Sequence, residues 1–371
     1  MTRTALIMAA GTGGHIFPGL AIAEVLVAKG WSIVWLATPA GMEHALVGKA
    51  GYPIEVVPMQ GVRSKGALAW LLMPARLLRA FWVSLGVLGR VKPAVVISMG
   101  GYIAVPGGMM AVLKGIPLVV HEPGAHAGLA NRVLALLADR VLVGFPRSFE
   151  LPPKNALARL LPRPGKVEWL GTPVRAPIAA LRDPQARFAG RGGAIRLLVV
   201  GGSLGAKTLN ELVVAALAAM APAERPQVVH QSGAAHRDDL AAAYQAAKVD
   251  ADVLPFLDDM ATRLDWCDLM LCRAGAITVA ELAAAGVASV LVPLPYFVAE
   301  EQEANARFLA DAGAGVVVRQ LETTPQALAA LIASFTREKL LAMANAARAL
   351  GKPDATARCA QACMQLAEGA A

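Results

Sequence analysis

Short runs of valine, isoleucine and leucine alternate along the whole chain with longer stretches rich in alanine and leucine. Apolar runs of this length are typical of strands buried on both faces of a parallel sheet. Strands are predicted at 5–9, 32–37, 94–98, 118–121, 141–144 and 167–170, and in the second half at 195–200, 227–231, 268–272, 289–292 and 316–318. Alternation of such strands with helices predicts a doubly wound α/β fold.

The opening of the first half is repeated in the second. Residues 5–15 (ALIMAAGTGGH) and 196–206 (RLLVVGGSLGA) both read as a strand, a glycine-rich turn and the start of a helix. We therefore expect two Rossmann-like doubly wound parallel-sheet domains, 1–175 and 176–371, that face each other across a cleft. The C-terminal helix is expected to be able to pack back on the N-terminal domain. Prolines and glycines cluster between 171 and 195, where the boundary is expected. Because ligands of parallel sheets bind beyond the carboxyl ends of the strands, the site is predicted in the cleft.

The charge of the chain is unevenly divided. Residues 1–175 carry 18 basic and 7 acidic residues, a net charge of +11, whereas residues 176–371 carry 17 and 20, a net charge of −3. This asymmetry indicates an anionic partner for the first half, either a membrane surface or a nucleic acid. A nucleic acid is the less favoured partner, because only 5% of the residues are aromatic and no nucleic-acid-binding motif occurs.

The segment 62–90 is suited to binding a membrane surface, because it mixes apolar and basic residues at helical spacing. Its residues of these two kinds are Leu68, Trp70, Leu71, Leu72, Leu77, Leu78, Phe81 and Trp82, with Arg63, Lys65, Arg76, Arg79 and Arg90. Pro74, the arginines and Gly86 interrupt it, so it does not read as a transmembrane helix; the alternative is that its apolar residues pack in the core. The N-terminus lacks the features of a signal peptide, and the four cysteines fit no metal spacing, which favours reduced thiols in the cytosol.

The two repeated turns are similar to nucleotide-binding motifs without matching them. The run Gly11-Thr12-Gly13-Gly14 lacks the third glycine of the dinucleotide fingerprint, since Ile16 stands there, and no carboxylate ends the second predicted strand. Residues 201–208 (GGSLGAKT) lack the second glycine of a Walker A loop, which is Ala206 here. Both turns are instead predicted to bind a phosphate through backbone N–H groups at a helix N-terminus; the alternative is a tight turn with no ligand.

A third turn follows the predicted strand at 268–272. The stretch 272–286 (CRAGAITVAELAAAG) predicts a helix from near Ala276, whose unpaired first-turn N–H groups suit a diphosphate. Glu281 lies about one and a half turns into this helix, where a carboxylate can accept hydrogen bonds from two ribose hydroxyls. A solvated helix glutamate is the alternative.

Eight blocks of the sequence together carry a family resemblance. They are GTGGHIFPGLAIAE (11–24), SMGGYIAVPGG (98–108), HEPGAHAGLANR (121–132), GTPVR (171–175), VVGGSLGAKTLN (199–210), FLDDM (256–260), CRAGAITVAELAAAG (272–286) and the stretch from Gln302 to Asn305. In this order and spacing the chain resembles the MurG family of glycosyltransferases (family 28) over essentially its whole length. The resemblance implies a GT-B fold and inverting transfer of N-acetylglucosamine from UDP-GlcNAc to undecaprenyl-diphospho-N-acetylmuramoyl-pentapeptide (lipid I). It also implies a peripheral enzyme of peptidoglycan synthesis on the cytoplasmic face of the inner membrane, with no cofactor.

The resemblance implies roles for individual residues as well. The cleft at the diphosphates would be lined by Thr12, Gly13, Gly14 and His15. The donor would be contacted by Arg175 and Ser203, its uracil by the backbone of Leu257, and its sugar hydroxyls by Gln302. The helix-end N–H groups would be those of Ala276, Ile277, Thr278, Val279 and Ala280, with Glu281 at the ribose.

One block departs from the family pattern. The family's His-Glu-Gln-Asn is His121-Glu122-Pro123-Gly124 here, so Gly124 stands where an asparagine would contact the donor sugar. We expect His126 or Asn131 to compensate in part, or the contact to be lost.

Glycosyl transfer requires a base for the acceptor hydroxyl and stabilisation of the leaving diphosphate. His15 is the candidate base, because imidazole titrates near neutral pH and the glycine turn aims it at the cleft; Glu122 is the alternative. No Asp-x-Asp cluster follows a predicted strand and Asp258-Asp259 reads as a helix cap, so helix N-termini and Arg175 are expected to stabilise charge in place of a metal. Two other functions stay open: another GT-B UDP-sugar transferase with a lipid acceptor, and a non-catalytic nucleotide-sugar-binding relative, which the Gly124 change favours.

Overall fold

The chain folds into two compact units, each with its own parallel sheet. The structure is a computed structural model, and it describes residues 2–59, 73–150, 160–202, 205–295 and 299–369. Unit 1 comprises Met1–Arg175 with Asp354–Ala371, and unit 2 comprises Ala176–Pro353. The segments 60–72, 151–159, 203–204 and 296–298 lie outside the described residues, and with them Ser203 and the first part of the predicted membrane segment.

Unit 1 is built on a seven-stranded parallel sheet. Its strands are β1 (Thr4–Ala9), β2 (Ser32–Ala37), β3 (Ile54–Val56), β4 (Val95–Gly100), β5 (Leu118–Glu122), β6 (Arg140–Val143) and β7 (Glu168–Trp169), in the order β3-β2-β1-β4-β5-β6-β7. Its helices up to residue 175 are α1 (Gly13–Ala28), α2 (Met42–Lys49), α3 (Met73–Val91), α4 (Ala104–Leu113) and α5 (Leu129–Ala135). Leu6, Ile7 and Met8 of the central strand β1 are fully buried, as expected for a strand covered by helices on both faces.

Unit 2 repeats this plan with six parallel strands. They are β8 (Arg196–Val200), β9 (Gln227–Gln231), β10 (Asp252–Leu254), β11 (Leu269–Cys272), β12 (Ala288–Leu291) and β13 (Gly315–Val317), in the order β10-β9-β8-β11-β12-β13. The α-helices are α6 (Ala176–Ala179), α7 (Pro184–Phe188), α8 (Lys207–Ala219), α9 (Arg237–Ala246), α10 (Met260–Trp266), α11 (Ala276–Ala285), α12 (Ala299–Ala310), α13 (Pro325–Ala333) and α14 (Arg337–Leu350). The predicted fold class, two Rossmann-like parallel-sheet domains, is confirmed.

The last helix, α15 (Ala355–Gly369), packs against α1 and completes the core of unit 1. Cys359 and Cys363 lie one turn apart on its buried face and are free thiols, like the other two cysteines. The Thr356 hydroxyl donates to the Val174 carbonyl at 2.9 Å and accepts from the Val174 N–H at 3.2 Å, which joins the helix to the end of the 1–175 segment. Burial raises the pKa of the Cys363 thiol to about 12, so it packs as a small apolar group.

Each sheet contains one point at which the strand order reverses. In unit 1 the reversal lies between β1 and β4, and in unit 2 between β8 and β11. The connections that follow two such strands leave in opposite directions, which opens a crevice at the carboxyl ends where ligands of this fold bind. The three glycine turns predicted to bind phosphate follow β1, β8 and β11, and therefore all lie at these reversal points.

Candidate active site

The first glycine turn joins β1 directly to α1. Thr12 has an extended backbone and occupies the N-cap position of α1, and its carbonyl accepts from the His15 N–H at 3.1 Å. Gly11 lies in the left-handed region at φ +95°, which favours glycine. Gly13 and Gly14 begin the helix, so their N–H groups have no acceptor within it and remain available to an anion.

His15 is held beside the turn that follows β4. Its Nδ1 lies 3.3 Å from the Thr12 hydroxyl, and a Cβ added at Gly100 would lie 2.9 Å from its Cδ2 and 3.0 Å from its Nε2. Burial lowers the pKa of His15, and a hydrogen bond to the Ala10 carbonyl offsets this only in part. The imidazole is therefore neutral near pH 7 and can accept a proton.

Two glycines, the last residue of β4 and the one that follows it, make room for this arrangement. Gly100 has φ +108° and Gly101 has φ +89°, conformations that residues with a side chain rarely adopt. A Cβ at Gly101 would lie 2.8 Å from the Ala10 carbonyl oxygen, and one at Gly100 would strike the His15 ring. The glycine pair thus lets two turns at the reversal point of unit 1 pack against each other.

The structure brings Glu122 and Asn131 together, and it uses both to hold a loop. The Glu122 carboxylate accepts from the Gly124 N–H at 3.0 Å, from the Gly128 N–H at 3.1 Å and from the Asn131 amide at 3.0 Å. Asn131 also donates to the His121 carbonyl at 3.2 Å, and both side chains are buried. This arrangement fixes the path of the chain after β5, including Gly124.

Arg175 belongs to unit 1, beside the first glycine turn. Its guanidinium carbon lies 6.0 Å from the centroid of the Phe17 ring, and Phe17 in turn lies against Gly13. A cation at this distance over a phenyl ring is favourable by about 0.5–1 kcal/mol at an exposed site. Arg175 thus adds positive charge near the N-terminus of α1.

Unit 2 contains a cavity of about 450 Å³ at the carboxyl ends of β8 and β11. Its wall includes Gly202 and Gly205 of the second turn, and Gly275 and Thr278 at the start of α11. Gly275 is the N-cap residue of α11, so the unpaired N–H groups of the first turn of that helix lie at the wall. The cavity is within the range of about 300–1,000 Å³ that small-molecule ligands occupy.

Two of the predicted donor residues line this cavity, and others lie on helix α11. Thr278 and Gln302 line it, and the Gln302 side-chain oxygen accepts from the Leu294 N–H at 3.0 Å. Ala276, Ile277 and Ala280 are half-buried on the same helix, whereas Val279 and Glu281 are buried. Leu257 is buried after β10 and is not among the described residues that line the cavity, and Ser203 lies outside the described residues.

Arg273 and Gln320, which no sequence motif identifies, also line the cavity. The Arg273 guanidinium donates to the Val292 carbonyl at 3.1 Å and to the Gln320 side-chain oxygen at 2.6 Å. Its buried Nε has no hydrogen-bond partner among the described residues. The sequence contains one indication of Arg273, because it directly follows the buried strand β11. A buried charge destabilises the fold unless it binds a ligand or belongs to a buried hydrogen-bond network.

The described part of the chain has no group of three His, Cys, Asp or Glu side chains placed to hold a metal ion. Asp259, predicted to cap a helix, does occupy the N-cap position of α10. Its carboxylate accepts from the Arg263 side chain at 3.0 Å and does not cap the helix, so that part of the prediction is wrong.

Comparison with known proteins agrees with this architecture in both units. Residues 5–143 match the glycosyltransferase family 28 N-terminal domain, and residues 196–359 match the family 28 C-terminal domain. The UDP-N-acetylglucosamine--N-acetylmuramyl-(pentapeptide) pyrophosphoryl-undecaprenol N-acetylglucosamine transferase of Aromatoleum aromaticum is 53% identical over 367 residues, which cover 99% of each chain. The protein of the same name from Dechloromonas aromatica is 50% identical over 368 residues, covering 99% of this chain and all of that one.

A solved structure agrees as well. The crystal structure of Acinetobacter baumannii MurG superposes with a TM-score of 0.84 at 36% identity, covering 98% of this chain and 99% of that one. The chain is therefore a glycosyltransferase of family 28, and within that family it belongs to the UDP-N-acetylglucosamine--N-acetylmuramyl-(pentapeptide) pyrophosphoryl-undecaprenol N-acetylglucosamine transferases.

Proposed function

We propose that this protein transfers N-acetylglucosamine from UDP-GlcNAc to lipid I with inversion at the sugar, and so forms lipid II. The observation that carries the proposal is the cavity of unit 2, where the second glycine turn, the N-terminus of α11 and Arg273 surround one space. Unpaired N–H groups and a guanidinium are the donors that a diphosphate requires. The names of relatives that match over the full chain support the same donor and acceptor.

In this proposal the leaving group is bound by the backbone of unit 2. The N–H groups of Ala276, Ile277 and Thr278 donate to the diphosphate, and the buried Glu281 accepts from the ribose hydroxyls. Negative charge develops on the diphosphate as the bond to the sugar breaks, so fixed donors at this place lower the barrier. Removing one such donor typically costs about 10²–10³ in kcat.

The acceptor belongs to unit 1 in this proposal. The N–H groups of Gly13 and Gly14 bind the lipid-linked diphosphate. Arg175, expected from the resemblance to contact the donor, lies against Phe17 and adds charge beside this turn instead. His15 takes the proton from the acceptor hydroxyl, whose oxygen attacks the anomeric carbon of the sugar from the face opposite the diphosphate. UDP leaves with the electron pair of the sugar–phosphate bond, and the attack from the opposite face accounts for the inversion. His15 is favoured over Glu122, because the Glu122 carboxylate already accepts two hydrogen bonds from the loop after β5 and one from Asn131 of α5.

Turnover of UDP-GlcNAc radiolabelled in the sugar, with a lipid I analogue as acceptor, tests the proposal. We expect labelled disaccharide-linked lipid and an equal amount of UDP. Transfer to diacylglycerol in place of lipid I would support the alternative lipid acceptor, and binding of UDP-GlcNAc without any transfer would support a non-catalytic relative. Among variants, His15→Ala should lower kcat by about 10²–10⁴, the usual contribution of a general base, whereas Glu122→Gln should mainly lower stability.

We further propose that unit 1 binds an anionic membrane surface through one face of α3. Leu78 and Trp82 lie one turn apart on that helix with 60% and 68% of their surface exposed, and Arg76 and Arg79 beside them are also exposed. The opposite face, including Val87, is buried in the core. Exposed apolar side chains flanked by arginines suit the boundary between lipid headgroups and acyl chains. Within the described ranges, no helix combines the length and apolarity needed to cross a membrane.

Flotation with vesicles tests this surface. The double variant Leu78→Ser, Trp82→Ser should bind phosphatidylglycerol vesicles at least about tenfold more weakly than the unmodified chain, since each buried CH₂ contributes about 0.8 kcal/mol. Leu113→Ser is the matched control, because Leu113 is 71% exposed on another helix of the same unit. Equal binding by all three proteins would contradict the proposed surface.

A further inference from the structure

A chain of buried polar side chains in unit 2 runs beneath the second glycine turn. Tyr244 of α9 lies 2.8 Å from Nδ1 of His230, and His230 Nε2 lies 3.1 Å from Oδ1 of Asn210 on α8. The Asn210 amide donates to the Ser232 carbonyl at 3.1 Å. All four residues are buried, and the turn they approach lines the cavity.

The hydrogen-bonding roles along this chain follow from its last link. Because the Asn210 amide donates to a carbonyl, its Oδ1 is the acceptor that faces His230, so Nε2 of His230 carries the proton. Nδ1 is then an acceptor and the Tyr244 hydroxyl donates to it. Burial lowers the pKa of His230 to about 3, which keeps this single arrangement neutral and fixed near pH 7.

The end of β9 meets the turn at two points. The Gln231 amide donates to the Gly202 carbonyl at 3.0 Å. A Cβ added at Gly205, which has φ +76°, would strike the Ser232 carbonyl oxygen, so the backbones of these residues are in direct contact. Gly202 and Gly205 both lie in the cavity wall. Gln231 binds the first, and Ser232, whose carbonyl accepts from Asn210 at the end of the polar chain, touches the second.

Apolar side chains of equal volume would often pack as stably as this buried polar chain, so its presence indicates a role other than stability. Directional hydrogen bonds fix backbone positions more closely than apolar contacts do. We propose that Gln231 and Asn210 are positioning residues for the sugar-nucleotide donor: they fix Gly202 and Gly205 in the wall against which the donor diphosphate binds. This inference rests on the proposed donor site and adds to it a second layer of residues that never touch the ligand.

Steady-state kinetics of Gln231→Met test the inference. Methionine has nearly the volume of glutamine but cannot donate to the Gly202 carbonyl. The expected result is a rise of about tenfold in KM for UDP-GlcNAc, with kcat and the KM for the lipid acceptor within about twofold of the unmodified enzyme. Ser289→Ala is the matched control, because Ser289 is equally buried in unit 2 and its hydroxyl makes no hydrogen bond among the described residues. A donor KM that changes equally in the two variants, or in neither, would overturn the inference.

A second variant covers the case in which Gln231→Met does not fold. In Gln231→Glu the carboxyl donates to the Gly202 carbonyl only when it is protonated, and burial at this position favours the protonated form. The donor KM should therefore fall as the pH is lowered from about 8 to about 6, relative to the unmodified enzyme. A purely structural role predicts no such change.

Affinity for UDP alone, measured by calorimetry, separates this inference from the proposed function. Weaker binding of UDP to Gln231→Met supports the positioning role even if lipid I proves not to be the acceptor, and unchanged binding overturns it.

Discussion

The contact between Gly100 and His15 allows a direct test of the proposed base. Gly100→Ala would place a Cβ 2.9 Å from the His15 ring, whereas ordinary contacts begin near 3.4 Å, so the imidazole must move by about 0.5–1 Å. A misplacement of about 1 Å in a reacting group can cost about 10²-fold in rate. We therefore expect kcat to fall by about 10- to 100-fold.

The same substitution also strains the backbone, and a control separates the two effects. Alanine at φ +108° costs about 1–3 kcal/mol, which lowers Tm by about 2–4 °C per kcal/mol in a unit of this size. Gly30 has φ +82° with no atom within 4 Å of an added Cβ, so Gly30→Ala introduces comparable strain without touching His15.

Turnover of lipid I at saturating UDP-GlcNAc, alongside thermal unfolding, provides the assay. Gly30→Ala should match the loss of Tm and keep kcat within about threefold of the unmodified enzyme. In a His15→Ala background, Gly100→Ala should have little further effect on kcat, because the group that it displaces is absent. If Gly100→Ala keeps the kcat of Gly30→Ala, or lowers it equally in the His15→Ala background, then His15 is not the base.

Three further predictions follow from the buried histidines and the donor site. Burial lowers the pKa of His121 to about 4 and that of His230 to about 3, so these imidazoles take up protons below about pH 6.5 in the unfolded chain but not in the folded one. Each unit should therefore lose about 2 kcal/mol of stability between about pH 7 and about pH 5. A urea midpoint that is independent of pH over this range would contradict the burial of these imidazoles. Because burial also lowers the pKa of His15, the acid limb of the kcat/KM profile should lie below the ordinary histidine value of about 6.5, and a limb above that value would argue against His15. Since helix N-termini and arginine are proposed to stabilise the diphosphate, EDTA should leave turnover intact; complete loss that magnesium restores would refute this part of the mechanism.

The fold was predictable because its strongest signals are local. Strand β1 and strand β8 are continuous apolar runs followed by glycine turns, and both occur where they were expected. Strands β3 and β10 are not predicted from the sequence. Both are edge strands of three residues, and a run of that length containing Glu55 or Asp252 has no recognisable periodicity. Edge strands of this kind depend on their neighbours in the sheet more than on their own residues.

The candidate site was less predictable, because its supporting contacts join residues that are far apart in the sequence. The sequence predicts Glu122 as a possible base and Asn131 as a substrate ligand, whereas in the structure they bind each other and Glu122 also binds the loop after β5. Arg273 pairs with Gln320, 47 positions further along the chain. The need for glycine at position 100 becomes evident only from its contact with His15, which is 85 positions earlier. Sequence patterns identify turns that can bind phosphate, whereas the residues that position those turns emerge only from packing.

A crystal structure with bound UDP would show whether backbone N–H groups at the start of α11 bind the donor diphosphate. We expect the diphosphate to lie against Gly275–Thr278, close to Gly202 and Gly205, with the ribose hydroxyls donating to Glu281. UDP bound at the Gly13-Gly14 turn of unit 1, or anywhere away from the N-terminus of α11, would contradict this expectation.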